Sequence, residues 1–236
     1  MKNHLPLLII SLFLVLDHEC YSQISIKAGL TASSFSYVNT PPSPYKDYDI
    51  DLRPYLGYDI EWIQLGEQNP LITPYLSICY SIGITKRLLV RPELSLVQKG
   101  VSFNRYDFEK ITYQVKISYL ELPVSLVYEI RPEKRLSFDL YAGGFFAYKI
   151  RGIKKTGSHF AGESINHLDN VEDLEIGIQA GFSTKYQVGK NKILFDLRVF
   201  QGLSDVFDLL HEDVRMYNSV QDVRNSGINL SFGYEF

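Results

Sequence analysis

"GINLSFGYEF" (residues 227–236) closes the chain, and the side of this strand that meets water decides the fold. Ile228, Leu230, Phe232, Tyr234 and Phe236 share one parity, while Asn229, Ser231, Gly233 and Glu235 share the other. Successive side chains of a strand point to opposite faces, so this strand has one apolar and one polar face. Either the apolar face packs inward, as in a soluble barrel or sandwich, or it faces lipid.

The same period-2 signal recurs upstream. "QISIKAGLTA" (23–32) places Ile24, Ile26, Ala28, Leu30 and Ala32 on one face, and "TPYLSICYSIGI" (73–84) places Leu76, Ile78, Tyr80, Ile82 and Ile84. "LLVRPELSLVQKG" (88–100) contributes Leu88, Val90, Leu94 and Leu96. "ITYQVKISY" (111–119) contributes Tyr113, Val115, Ile117 and Tyr119, after which the parity changes to Leu122, Val124, Leu126 and Tyr128. That change predicts a β-bulge near Tyr119–Leu120, just before Pro123. Further alternating runs are Leu136–Ala142, Leu174–Phe182 and Ile193–Val199, so the closing strand is the eighth.

The links alternate in length. Residues 85–87, 131–134 and 188–191 are short and polar, whereas 38–72, 103–110, 152–171 and 204–225 are long. An up-and-down barrel with both termini on one side gives this asymmetry, and transmembrane barrels pair short periplasmic turns with long extracellular loops. "YLGYDIEWIQ" (55–64) also alternates, and is expected as a β-arm within the first long link. In the last link, Phe207, Leu210, Val214 and Tyr217 have the spacing of a short amphipathic helix.

The N-terminus reads as an export signal. Lys2 precedes the apolar run Leu5–Leu16, too short for a comfortable membrane span, and small residues precede an expected cleavage after Ser22. The expected division is residues 1–22 as signal peptide and 23–236 as one barrel domain. Cys20 leaves with the signal; a lipoprotein anchor there fits poorly after Asp17, His18 and Glu19. Cys79 then has no disulfide partner within the chain. A net charge of −3 offers no nucleic-acid surface.

The polar parity carries charges: Lys27, Arg91, Glu93, Glu121, Asp139, Glu175, Asp196, Arg198 and Glu235. In a membrane barrel these face the lumen, where opposite charges can pair. Lys27, Arg91, Glu93, Asp139, Asp196 and Arg198 are the candidate lumen network. Eight strands enclose little more than side chains, so a diffusion pore is not expected. The histidines His159, His167 and His211 show neither nucleophile-elbow nor metal spacing, and read as solvated loop residues. No catalytic residue, cofactor site or metal site is expected.

"IKAGLTASSF", "LVRPELSLVQKG", "YLELPVSLVYEI" followed by "DLYAGGFFAYKI", and "LSFGYEF" together resemble the PorT-like small outer-membrane β-barrel family of Bacteroidota. The resemblance implies an all-β, eight-stranded antiparallel up-and-down transmembrane barrel in the bacterial outer membrane. Phe232, Tyr234 and Phe236 then look like the C-terminal signal read by the barrel-assembly machinery. Expected partners are outer-membrane lipid, that machinery, and an extracellular or periplasmic protein of unknown identity. A role in envelope transport or secretion, or a lipid-modifying activity at the rim, are the alternatives to a non-enzymatic envelope protein.

Overall fold

A computed structural model describes residues 22–38, 68–106, 110–130, 134–158, 162–168, 171–207 and 222–236. The strands in chain order are β1 (Ser22–Val38), β2 (Gln68–Gly83), β3 (Leu88–Tyr106), β4 (Lys110–Ile130), β5 (Leu136–Ser158), β6 (Gly162–His167), β7 (Leu174–Val188), β8 (Asn191–Gly202) and β9 (Asp222–Glu235). β1–β5 and β7–β9 form one antiparallel sheet of sequential neighbours. β9 returns to β1, with Ser25 opposite Glu235 and Val38 opposite Asp222. The sheet is therefore a closed eight-stranded barrel with no free edge in its wall.

Strand extends into the expected long links. Within 103–110, β3 and β4 stay paired out to Tyr106 and Lys110. Within 152–171, β5 runs on to Ser158 and pairs with β6 along the edge that β7 takes lower down, from Leu136 to Tyr148. The expected arm at 55–64 lies outside the described residues. So do Leu210, Val214 and Tyr217; Phe207 forms an isolated bridge with Val171 and is buried.

The parity change in 111–128 has a different cause from the bulge expected on that strand. β4 alternates without a slip, and every odd position from Val115 to Glu129 points inward. Val115, Ile117 and Tyr119 are buried inside, whereas Leu120, Leu122, Val124 and Leu126 face outward. What changes at Leu120 is the surroundings of each face. A register shift does occur here, but on the neighbouring strand: Ser118 pairs with Arg151 and Tyr119 with Lys149, leaving Ile150 as the extra residue of β5.

The wall thus has two levels. Near the short turns its exterior is apolar, along Leu88–Leu96, Leu120–Tyr128 and Ile228–Phe236. Nine residues at about 3.3 Å each, tilted by about 40°, give a band roughly 20–25 Å tall, close to the apolar band of membrane barrels. Tyr80, Tyr128, Tyr186, Tyr234 and Phe236 stand outward at its turn-side margin, and Phe146 and Tyr148 stand outward on β5 nearer the loop end.

Beyond the band the exterior becomes polar and ties itself together with side-chain hydrogen bonds. Gln98 Nε2 donates to Ser118 Oγ (3.1 Å), Gln201 Nε2 to Ser36 Oγ (2.9 Å) and Thr112 Oγ1 to Asn104 Oδ1 (3.0 Å). At this level the interior is apolar: Phe35, Val101, Phe103, Val115, Ile117, Phe200, Val206, Phe207 and Val223 belong to one buried cluster.

Candidate functional site: the lumen and its seal

β-strand alternation aims each charged residue of the polar parity into the barrel, and the barrel is too narrow to hydrate them freely. They therefore pair. Nearest the turns, Lys185 Nζ lies 3.1 Å from Asp139, 3.3 Å from Glu235 and 3.7 Å from Glu129. Lys192 adds a 3.0 Å contact to Glu235. Arg91 pairs with Asp139 and donates from Nε to Ser81 Oγ at 3.1 Å.

The middle of the lumen centres on Glu93 and Asp196. Glu93 Oε2 meets Arg198 Nη2 at 2.7 Å and Lys27 Nζ at 3.1 Å, while Tyr75 OH donates to Oε1. Asp196 accepts from Ser183 Oγ (2.5 Å) and Tyr141 OH (3.0 Å), with Lys27 Nζ at 3.8 Å. Lys27, Arg91, Glu93, Asp139, Asp196 and Arg198 are thus all buried and all drawn into ion pairs. Two rings lie against interior glycines where a Cβ would collide with them: Tyr141 over Gly181 and Phe145 over Gly177.

A third cluster lies at the change of level. Lys99 Nζ sits 2.7 Å from Glu121 and 3.3 Å from Glu175, and Asn225 Nδ2 donates to Glu175 at 3.0 Å. The ammonium also lies over the Phe145 ring (4.1 Å to the centroid) and the Phe200 ring (4.8 Å). Above it the apolar cluster caps the lumen. Phe207 reaches it from the chain after β8, edge-on to Phe35 with ring centroids 5.8 Å apart. Backbone bonds from Glu172 N to Val206 O and from Val206 N to Val223 O hold that segment across the mouth.

Sequence reasoning missed Lys99, Glu129 and Lys185. Each shares the inward parity of its strand, so extending the alternation past the apolar runs would have found them. The closing-strand residues Phe232, Tyr234 and Phe236 all point outward. His167 lies on β6 and is exposed; His159 and His211 fall outside the described residues.

Among the described residues, no group of three or more His, Cys, Asp and Glu is arranged to hold a metal ion. What the lumen provides is a neutralised, densely packed interior with apolar closure at the loop end.

Among solved structures, the fold is similar to Neisserial surface protein A, with 12% identity, a TM-score of 0.41, and coverage of 92% of this chain and 98% of that one. It is also similar to Ail, the attachment invasion locus protein of Yersinia pestis (15%, 0.40, 91% and 99%). A major outer membrane protein from Thermus thermophilus gives 11%, 0.43, 92% and 100%. No curated protein matches the sequence. Residues 17–208 match the family described as "Outer membrane protein beta-barrel domain", and with most of its length inside that match the chain belongs to this family of the bacterial outer membrane.

Proposed function

We propose that this is a non-enzymatic, sealed outer-membrane barrel that holds its loop end above the bilayer as a rigid platform for an extracellular partner. The carrying observation is the inversion of the wall. Charges fill the lumen within the apolar band, and an apolar core fills it beyond. A conduit needs water-filled space, and this interior is occupied by Tyr75, Tyr141, Arg91, Arg198 and their partners. In planar bilayers the refolded protein should show no conductance above background; stable open channels would sink this reading.

On the same reading, residues 1–22 direct export and the short turns face the periplasm. A cysteine replacing exposed Glu163 on β6 should react with an impermeant maleimide in intact cells. One replacing exposed Lys190 should react only after permeabilisation. The reverse pattern would turn the molecule over.

The outward aromatics of β9 are assigned to the barrel-assembly machinery. Deleting Phe236 should slow the appearance of the heat-modifiable folded form in cells more than it destabilises the finished barrel. Assembly at the normal rate and level would remove that role. The finer PorT-like affiliation rests on the sequence landmarks alone and lends no secretion role.

A further inference from the structure

The short turns share a feature that a lipid anchor alone does not require. Each places a residue on an outward tyrosine of the strand after the next. Arg87, in the turn between β2 and β3, donates from Nη1 to Tyr128 OH on β4 (3.4 Å). Arg135, between β4 and β5, lies 4.9 Å from the centroid of the Tyr186 ring on β7. Asn191, at the turn between β7 and β8, donates to Tyr234 OH on β9. The tyrosines are 44%, 42% and 39% exposed, so the partners on them stand on the outer surface at the edge of the apolar band.

The described turn residues carry one sign of charge on the outside; Arg131 and Glu133 lie outside the described residues. Among the described turn residues, the exposed charged side chains are Lys86, Arg87, Lys134, Arg135 and Lys190, all basic. Among the described residues, the carboxylates at this level, Glu129 and Glu235, are buried in the lumen and taken up by Lys185 and Lys192. In a chain whose overall charge is −3, the described outer residues of this rim are basic.

We propose that this tyrosine-mounted collar is a binding surface for the phosphate groups of anionic phospholipids in the leaflet at the turn end. A guanidinium braced on an interfacial tyrosine sits at head-group depth, and Arg matches phosphate through its planar fork. The lysines at the turn tips extend the positive field into the head-group region. The proposal rests on the reading that the apolar band faces lipid.

The test uses the full barrel folded into phosphatidylcholine vesicles doped with phosphatidylglycerol, with retained lipid counted by native mass spectrometry. Phosphatidylglycerol should be enriched over its bulk fraction. Replacing Arg87 and Arg135 by Gln should lower the enrichment by about fivefold for each guanidinium removed. Arg87→Lys with Arg135→Lys keeps the charge but loses the fork, and should fall between wild type and the Gln variant. Lys116→Gln with Arg151→Gln, outward cations toward the loop end, should leave it unchanged.

Enrichment absent in the wild type, or lost equally on substitution at either end, overturns the proposal. Binding of a polyglutamate peptide without lipid enrichment also overturns it, and gives the collar to an acidic protein. Failure to fold into vesicles of any composition, read as loss of the heat-modifiable band, would instead break the underlying membrane reading.

Discussion

Below Leu120 on β4 the wall is apolar outside and charged inside; above it the same strand is polar outside and apolar inside. The backbone geometry is continuous across the change. The difference teaches that a barrel strand does not own an apolar face. It owns an inner and an outer face, and the medium around each level dictates the chemistry. In the lower level, apolar atoms belong against lipid and the lumen takes the polar residues, paired because buried charge is costly alone. In the upper level, water surrounds the exterior, so apolar burial moves indoors and Phe35, Phe103 and Phe207 build an ordinary core.

The ion-paired lumen also distinguishes the two faces of each lower strand. Were it lined like the upper core, both faces would be apolar. The one-residue slip that turns a strand over would then meet little penalty.

The comparison breaks most severely inside the lower level. Arg198→Ala leaves Glu93 without its 2.7 Å partner and should cost about 3–5 kcal/mol. Urea unfolding in lipid vesicles checks this. A loss near zero would mean that Lys27 and Tyr75 suffice, and that the network is looser than its geometry.

A charge on the exterior separates the levels directly. Ile78→Arg, placed within the apolar band, should cost about 2–4 kcal/mol, whereas Ser118→Arg above the band loses only the Gln98 bond and should cost about 1 kcal/mol or less. Equal costs in the same unfolding assay would erase the boundary at Leu120.

The packing inside the lower level gives a smaller effect. At Gly181 an added methyl meets the Tyr141 ring, and Leu197 O lies 2.7 Å away. Gly181→Ala should cost about 1–3 kcal/mol through overpacking. Tyr141→Phe in the same background should restore only part of it, since the ring carbon Cζ and the hydroxyl lie equally close to the added methyl.

The gentlest probe is the polar exterior of the upper level. Gln201→Ala removes the bond to Ser36 and should cost about 1 kcal/mol or less. Loop-end amides of β8 and β9 should exchange faster with little change in global stability. A large global loss would show that this exterior is buried by something, as a lipid-facing surface would be.

The closing strand and its repeats let the sequence alone determine the strand type, the eight alternating runs, and the shared parity of Lys27, Arg91, Glu93, Asp139, Asp196 and Arg198; the pairing of residues 222–235 with 22–38 and the burial of that parity in the lumen are seen only in the tertiary structure. Strand type, runs and parity follow from period-2 geometry, which is local and therefore written along the chain. Periodicity could not say why Val115, Ile117 and Tyr119 carry the opposite parity from Leu122, Val124 and Leu126. A bulge and a change of medium leave the same mark on one strand. Only the registered neighbours separate them. The extra residue sits at Ile150 on β5, and the inner ring of Phe35, Phe103 and Phe207 comes from segments far apart in the chain, brought together by closure of the barrel.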